Sequence, residues 1–271
     1  MGKRSSGIEA AGIFFDHFGL SPGKPGLDEL LRVVNEFSGI PWENLTKFLA
    51  KTRGAPPDEL PRSPGTVMRG YVEAGTGGTC FSLTETLRCI LSFQGYRCRP
   101  VMADMSHGRD IHCALLVEFQ DGETFLADPG YLVPRPVGLS REKTVSLALG
   151  DQVMLWKPDG KGGYDLYTTS GDGVETWRYR LKTAPVSRKE FMEHWTRSFD
   201  APGMNSLHAN LRNGDARFSA HNMNLRMVDN SGKRNEKMGK DYPGLMESRF
   251  GISGKVAGAA EEAWRRSCRN R

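Results

Sequence analysis

Long apolar runs are missing from this 271-residue chain. No segment approaches the roughly 18 consecutive apolar residues that mark a membrane span, so no membrane partner is expected. The basic start, Lys3-Arg4, has no apolar run behind it, which argues against a secretory signal. Cysteine is scarce: five residues, an odd number, and no Cys-x-x-Cys. Such usage excludes a disulfide framework and predicts reduced thiols in a cytoplasm. His-Glu-x-x-His and Gly-x-x-x-x-Gly-Lys-Ser/Thr are both absent, which removes the common zinc-hydrolase and phosphate-loop readings. No metal is expected. No helix-turn-helix, zinc-finger or RNA-binding signature occurs, so nucleic acid is not an expected partner. Internal repeats and low-complexity tracts are also lacking.

What remains is an ordinary globular composition, 38% hydrophobic and 25% charged, enough to build a core. The net charge of +5 suits an anionic ligand. The basic runs 233–240 and 265–271 read as a solvated loop and tail.

The first third of the chain has helical periodicity. Residues 8–18 form one apolar-rich stretch. Leu27, Leu30, Leu31, Val34 and Phe37 follow at helical spacing. After a proline-rich loop at 54–65, residues 66–74 and 80–94 read as two more helices. The pattern then changes to short strands at 97–105, 111–119, 123–127, 145–149, 152–157, 164–168 and 175–181. Gln120-Asp121-Gly122 is the hairpin turn between the second and third. Residues 187–199 are helical again, with Ser187 and Glu190 as a capping box. Two strands within 217–228 and a terminal helix at 256–266 complete the chain. The fold class is therefore α+β: a helical bundle (1–96), an antiparallel barrel or sandwich (97–185), and a mixed tail (186–271).

Cys80 carries the strongest chemical signal. It follows Gly77-Gly78-Thr79 and opens the 80–94 helix. With Thr79 as N-cap, the thiol sits in the first turn, where free N–H groups and the helix dipole stabilise a thiolate. Alone, it fits a small buried core cysteine equally well. Cys89, Cys98 and Cys113 read as core or near-core. His112 opens the strand 111–119, and Asp128 ends the next one. A turn centred near 121 brings the two within side-chain reach across the hairpin. A carboxylate beside an imidazole fixes its tautomer, and the imidazole can take the thiol proton. Cys80, His112 and Asp128 thus form a candidate Cys-His-Asp triad. His107, in the preceding loop, is the competing histidine. The triad types also serve hydrolysis or transfer to lysine, so a cysteine hydrolase or transglutaminase-like enzyme is an alternative, and a non-catalytic binding protein a more distant one.

At these residues the chain resembles the arylamine N-acetyltransferases. Ile40-Pro41-Trp42-Glu43-Asn44-Leu45 is similar to that family's Ile-Pro-Phe-Glu-Asn-Leu segment. Gly77-Gly78-Thr79-Cys80-Phe81 resembles its Arg-Gly-Gly-Tyr-Cys-Phe motif. His112 falls in a His-x-x-Leu-x-Val pattern, and Asp128-Pro129-Gly130-Tyr131 in an Asp-x-Gly-Phe-Gly pattern. The resemblance implies a helical bundle, a β-barrel and an α/β lid. It implies acetyl-coenzyme A as co-substrate, no permanently bound cofactor, and ping-pong transfer through Cys80 to a small arylamine or hydrazine. Gly130 would let coenzyme A approach the backbone. Four positions depart from the pattern: Thr76 replaces an arginine, Ser82 a glutamate, Thr84 an asparagine and Leu132 a glycine. The interval from Cys80 to His112 is short for the family, which implies a trimmed loop near the acceptor pocket. The lost arginine and glycine motivate a second alternative, an amide synthase acting on a larger biosynthetic acyl chain.

Overall fold

The computed structural model describes residues 3–119, 122–169 and 173–269. Five helices come first: α1 (Lys3–His17), α2 (Leu27–Phe37), α3 (Leu45–Thr52), α4 (Pro64–Ala74) and α5 (Cys80–Phe93), with the short strand β1 (Trp42–Glu43) between α2 and α3. Leu30, Val33, Val34 and Phe37 of α2 share one face and bury it against Phe14 of α1 and Leu83, Leu87 and Leu91 of α5. Such burial stabilises by about 1.5–3 kcal/mol per large apolar side chain and drives the bundle together. Helix α4 begins at Pro64, two residues before the expected start. Ser63 caps it by accepting from the Thr66 backbone N–H at 3.3 Å, and proline is well tolerated at the first helical position. The helix α3 was not expected from the sequence.

Eight strands follow: β2 (Arg97–Met105), β3 (Gly108–Glu118), β4 (Thr124–Ala127), β5 (Val137–Gly138), β6 (Val145–Leu149), β7 (Gln152–Pro158), β8 (Tyr164–Thr169) and β9 (Glu175–Leu181). They pair antiparallel in the order β5-β4-β3-β2-β9-β8-β7-β6. The sheet wraps into a nearly closed barrel around Val101, Ala103, Trp156, Leu166, Tyr179 and Leu181. Helix α5 packs on β2 and β3. Gln120 and Asp121 of the expected turn lie outside the described residues. The flanking pairs, Val117 with Phe125 and Glu118 with Thr124, put the centre of the hairpin at position 121, as expected.

The last third holds α6 (Arg188–Ser198), β10 (His208–Asn213), β11 (Ala216–His221), β12 (Asn224–Asp229), β13 (Gly232–Lys237), α7 (Tyr242–Phe250) and α8 (Gly254–Arg269). The capping box at Ser187 and Glu190 is present. Part of the expected loop 233–240 is a strand instead. Every residue of β13 is exposed, so it shows no apolar alternation. Its charges keep a sheet edge solvated. The basic tail is mostly the end of α8; Asn270 and Arg271 lie outside the described residues. The second sheet runs β1-β10-β11-β12-β13. Strand β1, early in the chain, is thus an edge of the C-terminal sheet. Among the described residues, no helix is long and apolar enough to cross a membrane, and no group of three or more His, Cys, Asp or Glu side chains could hold a metal ion.

Candidate active site

Cys80 is the first residue of α5, and the turn before it is clamped. Gly78 N–H donates to the Pro41 carbonyl (3.3 Å), and Glu43 N–H donates to the Gly78 carbonyl (3.0 Å). A Cβ on Gly77 would lie 1.7 Å from the Pro41 oxygen, so only glycine fits there. This explains why the 40–45 segment matters: it is the wall on which the Cys80 turn rests. Thr79 occupies the N-cap position, but its side chain makes no cap hydrogen bond, contrary to expectation. Its hydroxyl is buried without a partner. No Thr79 cap therefore competes for the first-turn N–H groups, which have no acceptor within the helix.

His112 comes from β3. That strand starts at Gly108, so His112 lies within it and not at its start. The β2–β3 register shifts between Ala103 and Met105, and Asp110 in the irregularity has φ 55°. Lys182 Nζ holds it in place from Asp104 (2.7 Å) and Asp110 (2.9 Å). Such irregularities re-aim neighbouring side chains. Here Cys80 Sγ, at the start of α5, lies 3.7 Å from the Ile111 carbonyl oxygen. His107 is exposed in the β2–β3 turn and has no place in the site.

Asp128 directly follows β4 and caps the 3₁₀ turn Pro129–Tyr131. His112 Nε2 meets its Oδ2 at 3.1 Å, with both side chains almost fully buried. The same oxygen accepts from Tyr179 Oη at 2.8 Å, and Oδ1 accepts from the Tyr131 N–H at 3.0 Å. Tyr179 also stacks on the imidazole, with ring centroids 4.9 Å apart, and Tyr131 meets it edge-on at 5.2 Å. Tyr179 was not foreseen. It belongs to β9, a strand legible from its pattern, but no spacing links it to the hairpin.

The protonation pattern follows from these contacts. A hydrogen bond from the Cys113 thiol acts most strongly on Cys80. With the help of His112 it overcomes burial and lowers the Cys80 thiol to about 5. Burial pushes His112 down, but the Asp128 carboxylate and Cys80 outweigh it and raise the imidazole to about 10. Both directions favour a thiolate–imidazolium pair near neutral pH. Cys113, read from the sequence as a core residue, is buried as expected and is also the partner of Cys80.

Gly130 lies against this pair. A Cβ there would be 2.6 Å from Cys80 Cβ and 2.8 Å from His112 Cε1. Three of the departures from the family pattern lie on α5 and on the turn after Asp128. Ser82 packs under Gly78, Thr84 Oγ1 donates to the Cys113 carbonyl (3.3 Å), and Leu132 adopts φ 53°. Phe191 and Trp195 of α6 pack on Phe81, next to Cys80. Two surface cavities of about 410 and 670 Å³, beside Lys47 and Arg266 and beside Arg88 and Arg188, are lined by none of Cys80, His112 and Asp128.

The fold is shared with known structures. Arylamine N-acetyltransferase from Mycobacterium marinum is 22% identical, with 94% of this chain and 98% of that one covered and a TM-score of 0.78. The enzyme from M. tuberculosis is 22% identical over 93% of this chain and 98% of that one, with a TM-score of 0.77. That from Salmonella typhimurium is 17% identical over 94% and 98%, with a TM-score of 0.75. Comparison with curated proteins finds no match. The sequence model of the N-acetyltransferase family matches residues 26–257. That span takes in both the Cys80 turn and the hairpin of His112 and Asp128, and the chain belongs to the arylamine N-acetyltransferase family.

Proposed function

We propose that Cys80, His112 and Asp128 carry an acetyl group from acetyl-coenzyme A to a small arylamine or hydrazine in two half-reactions. The observation that carries the reading is the buried pair of Cys80 and His112 with Asp128 behind the imidazole at 3.1 Å. The Cys80 thiolate attacks the thioester carbonyl, and the carbon–sulfur bond to coenzyme A breaks. His112 gives its proton to the departing thiolate. The amine then attacks the acetyl-cysteine, its proton passes to His112, and the Cys80 thiolate is released. First-turn N–H groups of α5 face the developing oxyanion; a donor so placed lowers a barrier by about 3 kcal/mol. Tyr179, Tyr131 N–H and His112 all donate to Asp128, which fixes the carboxylate behind the imidazole.

A complex of the M. marinum enzyme with coenzyme A supports the choice of donor. Gly130 leaves no side chain between an arriving thioester and Cys80. The apolar surroundings of Cys80, with Phe81, Phe191, Trp195 and Met102 in one cluster, favour a neutral aromatic acceptor over a charged one. Incubation with acetyl-coenzyme A and no acceptor, followed by intact mass, tests the reading. An acetyl adduct that is absent from Cys80→Ala is expected. No adduct on a protein whose Cys80 is readily alkylated contradicts the choice of donor.

A further inference from the structure

The family pattern carries an arginine where this chain has Thr76, which is buried at 3% exposure. The chain nevertheless places a guanidinium beside the Cys80 turn. Arg62, from the proline-rich loop ahead of α4, turns inward. Its Nη1 donates to the Gly77 carbonyl at 2.6 Å and lies 3.4 Å from Thr46 Oγ1. The same nitrogen is 3.6 Å from Glu43 Oε1, and Nη2 donates to the Thr66 carbonyl at 3.1 Å. Glu43 is fully buried. Arg62 is within ion-pair distance of it. A buried carboxylate without a counter-charge is strongly unfavourable, so the pair fixes both partners.

Gly70 of α4 locates the guanidinium more closely. A Cβ there would lie 2.5 Å from Arg62 Nη2 and 2.6 Å from Thr76 Oγ1. The two side chains therefore end at one place, under a helix position that carries no side chain. A short residue at 76 and none at 70 leave the room that Arg62 fills.

We infer that Arg62 is the positioning residue of the Cys80 turn, supplying from a different point in the chain the guanidinium that the family motif carries at position 76. It ties the Gly77 carbonyl to Glu43, whose own N–H holds Gly78. The peptides that lead into Cys80 are thus held from both sides. The inference rests on Cys80 being the nucleophile.

The relocation predicts a reciprocal pattern in four proteins: wild type, Arg62→Ala, Thr76→Arg and the double variant. Two readouts are taken at a temperature well below unfolding: acetylation of Cys80 by acetyl-coenzyme A, and alkylation of Cys80 by iodoacetamide across pH. Arg62→Ala removes the guanidinium from Glu43, to which Thr46 N–H and Oγ1 still donate at 2.9 Å each, and takes the Arg62 donor from the Gly77 carbonyl, and Cys80 acetylation should slow by about tenfold or more. Its alkylation midpoint should also move upward, as the first turn loses its place beside His112. Thr76→Arg puts two guanidinium groups in one space and should slow the reaction as well. The double variant should return to within about threefold of wild type, with its alkylation midpoint restored. Wild-type acetylation in Arg62→Ala overturns the inference. So does a double variant no faster than Arg62→Ala, or an unchanged midpoint with only the melting temperature lowered. Should Arg62→Ala fail to fold, a folded and active double variant supports the relocation, and an unfolded one overturns it. Failure of wild type to acetylate counts against the choice of donor, while the alkylation series still decides the role of Arg62.

Discussion

Gly130 and Cys80 are so close that a methyl group on Gly130 would sit 2.6 Å from Cys80 Cβ. The turn after Asp128 is therefore packed directly on Cys80 and the His112 imidazole. Gly130→Ala must push Cys80 or His112 aside. Misplacement of reacting groups by an ångström reduces rates by about a hundredfold. Single-turnover acetylation should fall by one to two orders of magnitude, on the order of that penalty, while the protein still melts cooperatively. Stopped-flow release of coenzyme A measures it.

The pH dependence follows from where the proton sits. With Cys80 lowered to about 5 and His112 raised to about 10, the thiolate is present above the lower value and the imidazolium below the upper one. Acetylation should fall as pH drops through about 5 and fall again as pH rises through about 10. Cys113→Ala removes the largest stabiliser of the thiolate and should move the acid limb upward. His112→Gln should also move it upward and abolish turnover. Iodoacetamide alkylation rates against pH report the shifts; an unmoved midpoint in Cys113→Ala would exclude that thiol as a partner.

Tyr179→Phe tests the support of Asp128. The stack on His112 survives, but a 2.8 Å hydrogen bond to the buried carboxylate is lost, and Trp156 Nε1 loses its 3.3 Å acceptor. A hydrogen bond to a charged group contributes about 1.5–3 kcal/mol. Urea denaturation should show a loss of that order, with the Tyr131 N–H still holding Oδ1.

Leu132 sets two effects against each other. A left-handed backbone costs a non-glycine residue about 1–2 kcal/mol, and Leu132 has φ 53°. Its side chain is buried at 6% exposure, which contributes about 1.5–3 kcal/mol. Glycine further raises the entropy of the unfolded chain by about 0.5–1 kcal/mol. Burial wins: Leu132→Gly should destabilise by about 1 kcal/mol, read as a lowered denaturation midpoint.

The contact of His112 with Asp128 was legible because it is local. A single hairpin, centred at 121, joins β3 to β4 and brings His112 within side-chain reach of Asp128, off exact register, so alternation and turn chemistry were enough. Cys80 was legible from a glycine turn opening an amphipathic helix. The rest of the site reaches it through long-range packing. Tyr179 and Trp156 arrive by closure of the barrel, and Arg62 by an irregular loop; neither has a periodicity that points inward. Cys113 looked like one more apolar position in a strand, and only the packing of β3 against α5 makes it a partner of Cys80. Thr79 has the residue type of a cap without the bond, because propensity gives the position and not the side-chain geometry. Strand β13 escaped notice because a fully solvated edge has no apolar pattern to read.

The most direct test isolates the acetylated enzyme, removes all coenzyme A, and adds an arylamine. The account predicts N-acetylarylamine in amounts equal to the enzyme, with Cys80 returning to its unmodified mass. Release of acetate alone at the same rate with or without amine, or an adduct mapped to a residue other than Cys80, would contradict it.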